Sequence, residues 1–301
     1  MKADIYSDLV RITGSDSVLT DEPLSRHTTF RIGGPADYFV SPKSVRELSR
    51  CLRLLRKAEE EFFLIGNGSN LLAADQGYRG CILCTRNISE ITIHRGKIEA
   101  DAGISLTQLA VYARNKGLTG LEFAYGIPGT LGGALVMNAG AYGGEMKDVV
   151  RSVTFLDENG EEHTMTGGQM EFGYRTSILI GKPWTAVSAV LELQEDDPEE
   201  IAKRMDGHLK SRQEKQPLEF PSAGSTFKRP EGFFAGKLIM DSGLAGCRIG
   251  DAEVSAKHCG FLINKGHASC SDMLALIRKV QETVDEKYHV RLEPEVRFLG
   301  C

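Results

Sequence analysis

The chain has 301 residues, 41% hydrophobic and 26% charged, an ordinary globular composition long enough to bury cores in two or three domains. A net charge of −5 gives no global reason to expect nucleic acid as a partner, so anionic ligands must be held by local basic groups or backbone N–H. The start, MKADIYSDLV, has one lysine and no continuous apolar stretch, which reads against a signal peptide, and the longest apolar runs fall far short of a membrane span. The expectation is a cytoplasmic protein, with no membrane insertion and no obligate protein partner evident.

In chain order, Ser44-Val45-Arg46-Glu47 is a capping box leading to Leu48, Leu52 and Leu55 at helical spacing. Short β-rich runs at 38–40 and 62–65 predict strands, as do 91–94 and 97–101, which flank Arg95-Gly96 as a hairpin. Ser105-Leu106-Thr107-Gln108 opens a second helix that stops at Gly117. The run 153–156 before Asn159-Gly160 predicts another hairpin, and Asp197-Pro198 opens a third helix with acids first and bases later. A last helix starts near Ser271 and carries Leu274, Ile277, Val280 and Val284. Hairpins mixed with isolated helices predict an α+β fold rather than a doubly wound sheet. The polar helix from Asp197 to about Gln216 is the best candidate for a joint between a front and a back region.

Seven scattered cysteines do not resemble a disulfide framework. Cys81-Ile82-Leu83-Cys84 has the C-x-x-C spacing but reads as a buried strand, and no second ligand pair or histidine motif accompanies it, so no metal site is expected. Trp184 reads as a packing residue, and the acids at 195–200 as a solvated helix start.

Two segments look built to approach a phosphate. One is Gly66-Asn67-Gly68-Ser69-Asn70-Leu71, directly after a predicted strand. The other is Gly126-Ile127-Pro128-Gly129-Thr130-Leu131-Gly132-Gly133, continuing through Asn138-Ala139-Gly140-Ala141. Glycine lets backbone N–H groups close on phosphate oxygens, and a helical turn after Pro128 would add the positive end of a helix dipole. The same glycines would also serve as tight turns. Neither segment is a dinucleotide fingerprint or a P-loop. The residues alone reach a phosphate-bearing cofactor and stop there.

Six segments in order, HTTFRIGGPADYFV (27–40), LIGNGSNLL (64–72), EFAYGIPGTLGGALVMNAGAYGGE (122–145), FGYRTS (172–177), PSAGSTFKRP (221–230) and LEPEVRFLG (292–300), resemble the UDP-N-acetylenolpyruvoylglucosamine reductase (MurB) family. The short passage from Arg175 to Ile180-Gly181-Lys182-Pro183 has no room for a tyrosine-bearing insertion, so the resemblance is to the shorter subclass. It implies an FAD-binding fold of the vanillyl-alcohol-oxidase type plus a substrate domain. The implied parts are a first FAD subdomain over 1–80, with 294–301 returning to it, a second over 81–206, and a substrate domain over 207–293. It implies non-covalent FAD, NADPH as co-substrate, and UDP-N-acetylglucosamine enolpyruvate as the group reduced, a step in building peptidoglycan precursors.

Carried over by position, the resemblance assigns Gly66 to Leu71, Gly126 to Gly133 and Asn138 to Ala141 to FAD. Arg175 matches the catalytic arginine, Ser225 the proton donor and Glu295 the catalytic glutamate. Tyr174, Lys215 and His258 fall where substrate or nucleotide contacts are expected. Tyr125 and Arg229 depart from the family's usual residues. The chemistry suits the trio: hydride at C3 pushes charge toward C2 and its carboxylate, which Arg175 and a protonated Glu295 would stabilise while Ser225 protonates C2. Taken singly, the three read as an ion-pair arginine, a turn serine and a strand-edge carboxylate; their joint occurrence in ordered motifs favours the catalytic roles. The alternatives are an FAD-dependent sugar or alcohol oxidase on the same fold, and a non-catalytic FAD-binding module.

Overall fold

The structure, a computed structural model, describes residues 5–94 and 96–301. The described residues form two compact units: those within 1–20, 38–67 and 80–210 make the first, and those within 21–37, 68–79 and 211–301 the second. The boundary at 210/211 falls inside the helix Pro198–Lys215.

The first unit contains a five-stranded antiparallel sheet in the order Glu162–Thr166, Val150–Leu156, Thr185–Glu192, Lys97–Asp101, Ile91–His94. Both predicted hairpins are in it, although Arg95, in the first turn, lies outside the described residues. The helix Leu106–Asn115 starts where expected, with the Ser105 hydroxyl accepting the Gln108 N–H at 3.2 Å. Its Leu106, Leu109, Ala110 and Ala113 face a core shared with Leu131, Leu135, Val153 and Leu191. A separate core joins the helix Val45–Lys57, capped by Ser44, to buried strand residues. Cys81 and Cys84 belong to the strand Tyr78–Cys84, buried and parallel to Phe62–Ile65, as the apolar run implies.

The second unit has an antiparallel sheet, Ser222–Ser225, Phe261–Asn264, Ala252–Val254, Arg248–Ile249. The helix Cys270–Tyr288 covers it through Met273, Leu276, Ile277, Val280 and Val284. Its N-terminus is closed by a Ser269–Asp272 capping box, and the Asp75 carboxylate accepts the Cys270 and Ser271 N–H groups at 2.6 and 3.0 Å. The strand Arg297–Leu299 pairs in parallel with Leu71–Ala73. Hairpin sheets and packed helices together make the fold α+β. No helix among the described residues is long and apolar enough to cross a membrane.

Candidate active site

In the first unit, the strand Phe62–Ile65 delivers Gly66 and Asn67 to the second glycine run. A Cβ at Gly66 would land on the Thr130 hydroxyl, and Asn67 Nδ2 donates to the Pro128 carbonyl at 3.0 Å. Thr130 caps the helix Leu131–Met137, its hydroxyl accepting the Gly133 N–H at 3.4 Å. The Gly126 N–H goes to Thr107 Oγ1, and those of Ile127, Leu131 and Gly132 go to the carbonyls of Ala124, Ile104 and Ala102. The Gly129 carbonyl accepts from Leu106 N–H at 3.0 Å. Much of this run's hydrogen bonding therefore holds the fold. Ile127 and Ala139 pack on the core, and so does Tyr125. Gly133 is different: it is exposed, and the nearest atom to the place of a Cβ is Thr130 Oγ1 at 3.7 Å.

Downstream, Gly140–Ala141 pairs with Gly144–Glu145. Arg175 sits at φ 55 in a loop closed by the Gly173–Thr176 bridge, and its Nη2 donates to the Gly140 carbonyl at 3.1 Å. The guanidinium lies 5.2 Å from the ring centroid of Tyr174, which is itself exposed. Ser177 Oγ donates to the Val136 carbonyl at 2.9 Å. Asn138 is completely buried with its amide bonded inside the protein, so its side chain presents nothing to a cofactor.

In the second unit, Gly68 takes φ 58, and a Cβ there would land on the His27 carbonyl. Ser69 is half-buried. Asn70 Nδ2 donates to the Glu295 carbonyl at 3.1 Å, and the Asn70 carbonyl accepts from Arg297 N–H at 3.0 Å. Leu71 then opens its strand opposite Arg297. Ser225 and Glu295 are brought together by neighbouring backbone. Glu295 N–H donates to the Thr226 carbonyl at 2.8 Å, and Phe227 bridges Pro294. The strand pairing skips between Ser222 and Ser225, with Gly224 at φ 77. Such a bulge re-aims the side chain that follows it.

His258 stands by Ser225, because a Cβ on Gly260 would lie 3.2 Å from His258 Nδ1 and 3.4 Å from Ser225 Oγ. Its Nδ1 accepts the Gly260 N–H at 3.2 Å, and its ring meets Phe261 edge-on at 4.9 Å. Burial holds the imidazole below its ordinary pKa. With Nδ1 accepting, the neutral ring carries its proton on Nε2. Lys215 ends its helix exposed to solvent. The surrounding basic residues are not a uniform patch. Arg212 is buried, Lys228 pairs with Glu293 at 2.6 Å, and Arg229 stacks on Phe234 at 3.9 Å.

Sequence reasoning passed over Thr226, Glu145 and the parallel stack of Tyr142 on His208 at 4.4 Å. Only Gly224 before Ser225 carried a local signal, since glycine before a strand serine marks a bulge.

Residues 36–166 match the family model described as FAD binding domain, and residues 216–299 match the UDP-N-acetylenolpyruvoylglucosamine reductase C-terminal domain. A pollen allergen, Phl p 4, described as having glucose dehydrogenase activity, shares the fold at TM-score 0.50 and 15% identity, over 65% of this chain and 45% of that one. The chain thus has the architecture of the FAD-binding α+β proteins with a further C-terminal domain. The UDP-N-acetylenolpyruvoylglucosamine reductase of Caldanaerobacter subterraneus is 48% identical, with 99% of each chain covered. That of Clostridioides difficile is 47% identical, over 99% of this chain and 98% of its own. The crystal structure of the reductase (MurB) from Thermus caldophilus matches at TM-score 0.79 and 35% identity, over 94% of this chain and 98% of that one. The chain belongs to the UDP-N-acetylenolpyruvoylglucosamine reductase family.

Proposed function

We propose that this protein reduces UDP-N-acetylglucosamine enolpyruvate to UDP-N-acetylmuramate in the cytoplasm, using FAD and NADPH. The observation that carries the reading is family membership across 99% of the chain, with both the FAD-binding and the C-terminal domain models matched in order. The three-part reading, 1–80 with 294–301, 81–206 and 207–293, is kept as the functional division.

The residues present fit FAD. Gly133, beside the Thr130-capped helix start, leaves open the space that any side chain would fill. The groups proposed to line the cofactor are Gly66 to Leu71, Gly126 to Gly133, and the backbone of Ala139 to Ala141. The chemistry FAD supplies when bound is two-electron carriage from NADPH to C3 of the enolpyruvyl group.

The chain's own groups then deal with the charge and the proton. Arg175 is assigned to the enolate-like charge that develops on C2 and the adjoining carboxylate; a fixed cation there stabilises the transition state more than the ground state. The Glu295 carboxyl supports the same charge. Ser225 Oγ gives its proton to C2, and the bulge at Gly224 is the local device that aims it. Tyr174, Lys215 and the Nε2–H of His258 are assigned to the substrate, Lys215 to its pyrophosphate.

Steady-state assays separate this reading from an oxidase on the same fold. NADPH consumption must depend on the enolpyruvyl UDP-sugar and yield little peroxide. Peroxide formation matching substrate turnover, with a sugar or alcohol as the electron source, would establish the oxidase instead.

A further inference from the structure

We propose that Asn138 is a positioning residue for Arg175: it fixes the loop that carries the guanidinium and makes no contact with cofactor or substrate. The inference rests on the role given to Arg175 above.

Asn138 ends the helix Leu131–Met137 in a left-handed conformation, φ 41 and ψ 57, and is completely buried. Asparagine tolerates that backbone better than other side-chain-bearing residues, which explains a non-glycine helix stop. Its amide then bonds three residues on two separate segments. Nδ2 donates to Glu145 Oε2 at 2.7 Å and to the Gly173 carbonyl at 3.0 Å, while Oδ1 accepts the Lys147 N–H at 2.9 Å. Both donors are used, and turning the amide over would set its oxygen against a carboxylate and a carbonyl. The partners therefore dictate one orientation.

Gly173 is the hinge point of the Arg175 loop. It exchanges backbone hydrogen bonds with Thr176 at 3.1 and 3.4 Å, enclosing Tyr174 and Arg175. Arg175 is itself left-handed, a conformation that a non-glycine residue keeps only when its surroundings impose it. Three ties impose it: Asn138 to Gly173, Ser177 to Val136 and Arg175 to Gly140. All three fix the loop to the C-terminal end of one helix and the turn after it. Asn138 is the most deeply buried of the three side chains that make these ties, and it also anchors Glu145, whose strand pairs with Gly140, the acceptor of the Arg175 side chain.

The test uses the FAD-loaded enzyme. Asn138→Gly keeps a residue suited to the left-handed backbone and removes only the amide. The expected result is flavin reduction by NADPH within about 3-fold of the parent and reoxidation by the enolpyruvyl UDP-sugar slowed on the order of 10²-fold, the scale of a small misplacement. The dissociation constant of UDP-N-acetylmuramate, by calorimetry, is expected to change less than about 3-fold, since uniform binding is not the function lost. Combined with Arg175→Ala, Asn138→Gly should add no further loss, because it acts through that side chain. Multiplying losses in the double variant, or equal slowing of both half-reactions, would overturn the proposal. Should Arg175→Ala itself leave reoxidation intact, the catalytic reading of Arg175 falls, and the proposal with it. If Asn138→Gly does not fold, Glu145→Ala, which frees one side of the amide at a half-buried position, must show a smaller loss that also disappears on Arg175→Ala; a loss that persists there overturns the proposal equally.

Discussion

Glu295 donates its backbone N–H to the carbonyl of Thr226 at 2.8 Å, so the strand bearing Ser225 and the segment bearing Glu295 are joined one residue away from the serine. Thr226 is fully buried, its own N–H donating to Gly260 and its hydroxyl accepting from Leu262. The two proposed catalytic groups of this unit thus share one rigid piece of backbone. Rigid support of this kind is what a proton donor requires.

Ser225→Ala is expected to leave flavin reduction by NADPH nearly intact and to slow reoxidation on the order of 10²–10⁴-fold, the usual cost of losing a positioned general acid. Ser225→Cys, still a proton source, should retain more activity than alanine. Stopped-flow absorbance resolves the halves. Equal slowing of both would remove Ser225 from the proton transfer.

Gly133→Ala separates a structural glycine from a ligand-facing one. The site has room for the added methyl, and alanine favours a helix by about 1 kcal/mol over glycine, so the apo protein should melt at a higher temperature. FAD affinity should fall, because the methyl enters the ligand's space. Gly66→Ala should behave oppositely, losing stability through collision with Thr130. Unchanged FAD affinity in Gly133→Ala would place the cofactor elsewhere.

Glu122 predicts a pH signature. Burial raises its pKa, but hydrogen bonds from Thr119, the Gly120 N–H and Arg204 outweigh burial and hold it below the ordinary value. A lowered folded pKa means stability that is present above the unfolded value, about 4.3, and is lost as pH falls through the folded one. Glu122→Gln should therefore cost about 1–3 kcal/mol near neutrality and progressively less in acid. Denaturant melts across pH 3–7 measure this; a penalty that does not shrink in acid would deny the carboxylate its role.

Lys215→Ala should raise the Michaelis constant for the UDP-sugar more than it lowers kcat, since a pyrophosphate contact is made equally in the ground and transition states. The exposed position of Lys215 makes the loss of fold stability small. Unchanged Michaelis constants for both substrates would remove the assignment.

Local chemistry made much of this structure legible. Ser44 and Ser105 announce their helices because a cap needs only its own turn, and the buried C-x-x-C strand follows from an unbroken apolar run. The grouping of 21–37 and 68–79 with residues beyond 210 is encoded in no local pattern; the resemblance implied only that 294–301 returns to the N-terminal part, where Arg297 pairs with Leu71. At the candidate site, the glycines do not by themselves tell their purposes. Gly66 and Gly68 yield space to the protein's own Thr130 and His27, whereas Gly133 leaves it open. Asn138 was legible only as part of a motif; its buried amide bonds Glu145, Lys147 and Gly173, which no local pattern announces.

The most direct test of the account is the flavin absorbance of the purified, FAD-loaded protein under anaerobic conditions. The yellow band should bleach on adding one equivalent of NADPH and return on adding one equivalent of UDP-N-acetylglucosamine enolpyruvate, with UDP-N-acetylmuramate formed in equal amount. Acid precipitation of the same sample should release the colour into the supernatant. A protein that cannot be loaded with FAD, or a bleached flavin that the enolpyruvyl UDP-sugar fails to reoxidise, would contradict it.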